Sequence, residues 1–169
     1  MAVNIVSGKG CVFSVWGRPK REDMDLIERE LREAAIVSGG PVTYITRVPV
    51  DAPAPEPDVR RHLDSLMPKI VESCSTYHVV LEGKGFVAAV KRAVLNSLFQ
   101  IRWKRGVFFV HATPAEVVHS VSGAKVPEVK AVIERARIVG LLTAETVSSV
   151  PPPASSARGA HRHGAGAIL

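Results

Sequence analysis

The sequence predicts an α/β domain with a mixed, mostly parallel sheet, packed helices and an N-terminal hairpin. Three observations predict it. Short β-rich runs alternate with helical repeats of about 10–18 residues, the pattern of strands joined by helical crossovers. Two β-rich runs follow one another directly only at the N-terminus, so an antiparallel edge belongs there. The 169 residues are 46% hydrophobic, which is enough for one sizeable core and little more.

Each element has its own local reason. Residues 2–16, AVNIVSGKGCVFSVW, read as two strands with a turn at SGKG. In REDMDLIERELREAAIVSGG the residues Met24, Ile27, Leu31 and Ala34 or Ala35 recur at helical spacing. Glu22 and Asp23 suit the positive end of that helix, and Gly39-Gly40 stops it. PVTYITRVPV is the third strand, with Val42, Tyr44 and Thr46 on one face. DAPAPEP, residues 51–57, is a stiff connector with three prolines. A helix then runs from Asp58 to Cys74 on a stripe that includes Val59, Leu63, Leu66, Met67 and Ile70, and Pro68 should kink it.

TYHVVL is the fourth strand. KGFVAAVKRAVLNSLFQI is the third helix, expected to face the sheet through Phe86, Val90, Ala93, Val94, Ser97, Leu98 and Ile101 and water through Lys91, Arg92 and Asn96. A fifth strand follows at Val107–His111, then a short helix in PAEVVHSVS. These elements define a first unit over residues 1–122. An additional C-terminal helical segment occupies 123–148, with the helix at 127–142. Val129, Val132, Ile133, Ala136 and Val139 form one of its faces, opposite Lys130, Glu134, Arg135 and Arg137. Residues 149–169, rich in Pro, Ala and Gly, read as a flexible tail.

Composition bounds the function more than it selects one. The formal charge of +6, from 22 Lys+Arg against 16 Asp+Glu, is a basic bias on a mixed surface. It can favour nucleic acid, anionic lipid or an acidic protein without choosing among them. No stretch nears the roughly 18 apolar residues of a membrane span, so membrane insertion is not expected. MAVNIVSGKG lacks the parts of a secretory signal, which predicts a cytoplasmic location. Cys11 and Cys74 stand apart from any metal-ligand or disulfide spacing and read as buried free thiols.

The candidate chemical motifs are short. GKG occurs at 8–10 and again at 83–85, and neither copy has P-loop or GxGxxG spacing. The first reads as a turn. The second opens a helix, where backbone N–H groups and Lys84 could hold an anion while Glu82 opposes it. His62, His78, His111 and His119 are scattered, and the HRH at 161–163 supplies too few ligands for a closed metal site, so no metal and no cofactor are expected. Cys74 and His78 could be drawn as nucleophile and base, yet Cys74 continues an apolar helical stripe. No serine lies in a GxSxG elbow. WGRPKRE at 16–22 and IRWKRG at 101–106 pair basic residues with a tryptophan, but neither is a complete nucleic-acid module, and nucleic acid is disfavoured as a partner.

From residue 2 to about 122 the order of elements resembles the STAS domain, the fold of bacterial anti-sigma factor antagonists (SpoIIAA-like) and of the cytoplasmic domain of sulfate transporters. In that family the fourth strand enters a helix through Asp-Ser-Ser-Gly and an apolar residue, and a hydroxyl there is phosphorylated to switch partner binding. Here Glu82, Gly83, Lys84, Gly85 and Phe86 occupy the pattern. Gly85 and Phe86 match in type and Glu82 is acidic, while Gly83 and Lys84 replace the phosphoacceptor hydroxyls. The resemblance implies a bacterial signalling or scaffolding protein without enzymatic activity, docking a protein partner around the start of the third helix. Its expected interaction residues are Glu82, Lys84 and Phe86, with Val129, Val132 and Ile133 of the last helix able to pack on the same domain, a second copy or a heteropartner. The competing expectation is a nucleotide- or phosphate-binding enzyme that uses the 83–86 helix start.

Overall fold

The computed structural model describes residues 3–49, 51–102 and 106–142, excepting the side chains of 96 and 98–102. The tail at 149–169 and the centre of the 101–106 basic stretch therefore lie outside the described residues, as do the side chains of Leu98 and Ile101. The elements are β1 (Val3–Gly8), β2 (Cys11–Trp16), α1 (Arg21–Ser38), β3 (Val42–Val48), α2 (Pro57–Ser73) and β4 (Cys74–Leu81). Then come α3 (Gly85–Arg102), β5 (Phe108–His111), α4 (Pro114–Ser120) and α5 (Lys125–Ile138).

The five strands form one sheet in the order β1-β2-β3-β4-β5. β1 runs antiparallel to β2, and the remaining neighbours are parallel. The hairpin thus lies inside the sheet, at one edge, and the strand order never reverses. There is no topological switch point of the kind that seats nucleotides in doubly wound folds.

Local chemistry sets the boundaries. Lys20 N–H donates to Asp23 Oδ2 at 2.8 Å and fixes the start of α1. Gly39 ends it with φ 71°, a left-handed conformation that costs glycine little. Pro57 sits in the first turn of α2, where its missing N–H has no partner to lose. The helix continues through Pro68, which is exposed, so the proline ring meets solvent rather than a neighbour. Thr113 caps α4 by accepting the Glu116 N–H at 3.3 Å.

Both faces of the sheet are covered, which is why Val42, Thr43, Tyr44, Ile45 and Thr46 of β3 are all buried. On one face α1 and α2 bury Met24, Ile27, Leu31, Met67 and Ile70 against Val12, Tyr44, Tyr77 and Val79. On the other face α4 and α5 bury Val117, Val129, Val132, Ile133 and Ala136 against Val6, Phe13, Ile45 and Val80. The hairpin glycines belong to this second core. A Cβ on Gly8 would collide with Val132 Cγ2, and one on Gly10 (φ 70°) with the Glu128 carboxylate. The first GKG is a packed turn beneath α5.

Two expectations about helix faces need correction. Phe86, Val90, Ala93, Val94 and Ser97 of α3 do not pack on the sheet; all are exposed, whereas Ala88, Arg92 and Leu95 are half-buried. The inward stripe is therefore 88-92-95, and Arg92 faces in. Its Nη1 donates to the carbonyls of Leu81 and Gly83, both at 3.1 Å, and that grip turns the more apolar side outward. Val129, Val132 and Ile133 of α5, expected as an interaction surface, are buried against the chain's own sheet and present nothing to a partner. Val139, placed on the same face by its spacing, lies just past the helix end and is exposed.

Candidate interaction and ligand site

β3 and β4 end side by side, and the loop leaving β4 is fastened from two directions. Arg47 Nε and Nη2 donate to Glu82 Oε1 and Oε2 at 2.7 and 2.9 Å, a two-pronged pair of the strong type. Arg47 Nη1 also reaches the Leu141 carbonyl at 3.1 Å, tying the turn after α5 to the same corner. From the other side Arg92 holds the Leu81 and Gly83 carbonyls. Gly83 (φ 131°) and Gly85 (φ 84°) then make a bend that side chains with a Cβ would resist.

These contacts separate the three loop residues expected to face a partner. Glu82 is half-buried in its ion pair with Arg47 and works as an anchor. Lys84 is exposed. Phe86 is 82% exposed and Val87 67%, an apolar patch at the start of α3. A helix face of this kind standing in water is the feature that calls for explanation.

Behind α3 lies a cavity of about 640 Å³. Its floor is the C-terminal half of the sheet: Trp16, Thr46, Tyr77 and Val79. One wall is the proline-rich connector at 52–55, and the opposite wall is α3, through Val90, Lys91, Val94 and Leu95. A buried chain of hydroxyls runs under the floor, with Ser14 Oγ 2.8 Å from Tyr44 Oη and donating to Thr46 Oγ1 at 3.1 Å. The Trp16 indole lies against the Tyr44 hydroxyl at the end of this chain.

On the opposite face the sheet joins two histidines that are 33 residues apart. His78 Nδ1 and His111 Nε2 are 3.0 Å apart, so one ring donates to the other. Phe109 stacks on His78 with ring centroids 5.2 Å apart. Ser120 Oγ is 3.5 Å from His78 Nδ1, and Lys125 Nζ donates to the nearby Ser75 Oγ at 2.7 Å. Burial, then the proximity of His111 and Lys125, pulls the His78 pKa down to about 3. Burial also lowers His111, with the Glu116 carboxylate opposing it. Sequence spacing gave no sign of this pair, because it depends on β4–β5 register: Val80 pairs with His111, which sets His78 and His111 diagonally on one face.

Other candidates are dispersed. Cys74 belongs to the α1/α2 core and His78 to the opposite face, so they form no nucleophile–base couple. Burial pushes both cysteine thiols up to about 12, which leaves them inert at neutral pH. His62 Nε2 meets Asp25 Oδ1 at 2.7 Å and links α2 to α1. Among the described residues no group of three or more His, Cys, Asp or Glu is placed to hold a metal ion. None of their helices is long and apolar enough to cross a membrane. No protein-family model, curated protein or solved structure matches this chain.

Proposed function

We propose that the chain is a non-catalytic regulatory or scaffolding domain of STAS-like type that docks a protein partner through α3 and the loop before it. The observation that carries this reading is the exposed apolar patch of Phe86 and Val87 beside Lys84. Its rigid base supports the same reading. Arg47 and Arg92 fix the loop without using Lys84 or Phe86, so both side chains are presented on a stiff corner at little ordering cost. The hairpin within the sheet and the passage from β4 into α3 through Glu82–Phe86 suit the family pattern. With Val129, Val132 and Ile133 inside the core, the docking residues are Lys84, Phe86 and Val87, and Glu82 serves them as an anchor.

A photo-crosslinking residue at position 86, activated in extracts of the source cells, should give one discrete protein adduct. Val87→Asp should abolish it, and a crosslinker at exposed Arg29 on α1 should give none. Equal labelling from 86 and 29 would overturn the docking surface. Calorimetry against a nucleotide panel tests the competing phosphate-binding enzyme: saturable binding lost in Lys84→Ala would replace the present reading with that one.

A further inference from the structure

We infer that the cavity behind α3 is a binding site for an amphipathic carboxylate of the fatty-acid class, with its chain in the cavity and its head at Lys91. The inference concerns a small molecule and goes beyond the protein-docking role of the α3 surface.

The cavity has the size and character of a ligand site. Its volume of about 640 Å³ falls within the roughly 300–1,000 Å³ common for small-molecule pockets. Met67, Val79, Leu81, Val90 and Leu95 give an aliphatic lining, and Trp16 and Tyr77 add aromatic surface. A space this apolar gains most from a ligand that brings hydrocarbon and removes that lining from water.

Charge selects the head group. Among the described residues that line the cavity, Lys91 is the one charged residue and none is Asp or Glu. Lys91 is exposed, so it stands where the cavity meets solvent. An acid with its chain inside and its carboxylate at this rim meets an attractive cation without burying its own charge. A cationic amphiphile in the same pose would place like charges together.

The site is also preformed. Its walls are a helix and a proline-rich connector that meet the sheet from opposite sides, and the connector carries Pro53 and Pro55. Proline stiffness fixes the connector's path, so the wall is preformed rather than assembled by the ligand.

The test uses the full chain and three probes of equal chain length below their micellar concentrations: dodecanoate, dodecanol and dodecyltrimethylammonium. Calorimetry should show saturable one-to-one binding of dodecanoate, weaker binding of dodecanol and least of the cation. In a Trp103→Phe background the fluorescence of Trp16 should shift on binding. Lys91→Glu should weaken dodecanoate by roughly fivefold and strengthen the cation by a similar factor. Ala54→Trp, on the exposed connector wall, should block all three while leaving the far-UV spectrum and melting temperature unchanged. Phe86→Asp should leave dodecanoate binding intact, because Phe86 does not line the cavity. No saturable binding of dodecanoate to the unaltered chain overturns the inference. Binding that survives Ala54→Trp and falls with Phe86→Asp overturns it too, since the amphiphile would then be adhering to the outer face of α3. Loss of the protein adduct with dodecanoate binding retained removes the docking function alone.

Discussion

α3 and α5 carry apolar stripes of similar length, and the fold treats them in opposite ways. α5 lays Val129, Val132, Ile133 and Ala136 into a core shared with β1 and β2. α3 keeps Phe86, Val87, Val90 and Val94 at the surface and turns Arg92 inward instead. The difference comes from what lies beneath each helix. α5 rests over the hairpin, where Gly8 and Gly10 remove the side chains that would hold it off. α3 crosses toward β5, an edge strand of four residues, with the cavity between its inner side and the sheet. An apolar stripe shows that a helix needs cover; the surface opposite decides whether the chain itself supplies it.

The largest expected effect tests the α5 half of this comparison. Val132→Asp places a carboxylate in a dry core against Gly8 and should lower stability by about 4 kcal/mol, read from urea denaturation. A loss below about 1 kcal/mol would mean that α5 leaves the sheet easily, and its stripe would return as a candidate partner surface.

A second measurement probes the same face through its histidines. His78 stays a neutral imidazole in the native state until about pH 3, whereas an unfolded histidine takes up its second ring proton near 6.5. Between those values the unfolded state binds more protons, so stability falls as pH falls, by about 2 kcal/mol at pH 5 from His78 alone. Four groups face this ring from neighbouring elements: His111, Ser120, Lys125 and the stacked Phe109. The urea midpoint should drop steadily from pH 7.5 to 5, and His78→Phe should flatten most of that slope. A midpoint that does not move over this range would show that the pair opens and titrates freely.

The smallest expected effect belongs to α3. Phe86→Asp should change stability by no more than about 0.5 kcal/mol, since the ring makes little use of the core. The melting temperature should stay constant while dye binding to exposed apolar surface declines. A loss comparable to that of Val132→Asp would show that Phe86 is packed, and the contrast between the helices would collapse.

Much of this architecture was legible from local patterns. The hairpin at SGKG, the glycine stop after α1 and the alternation of strands with helices each rest on neighbours in sequence. Met24, Ile27 and Leu31 declare a buried face by spacing alone, and their helix lies where that spacing puts it. Less of the site could be read. The motif resemblance puts Lys84 and Phe86 at an interaction surface, whereas helical spacing puts Phe86 toward the sheet, which it does not meet. The anchoring role of Glu82 depends on Arg47, 35 residues earlier, and the inward turn of Arg92 depends on two carbonyls of the preceding loop. The cavity has no motif at all, since its lining comes from three strands, a connector and two helices.

By itself the sequence determined which segments become strands and helices and which side of each helix is apolar. Those properties follow from backbone propensity and from periods of two and 3.6 residues, which act over a few positions. The tertiary structure alone decided that α5 is covered and α3 is not, that His78 meets His111, and that a space remains above Thr46 and Tyr77. Such outcomes depend on strand register and on the volumes of residues brought together from distant parts of the chain. Packing is a property of that assembled set, and no local stretch of sequence contains it.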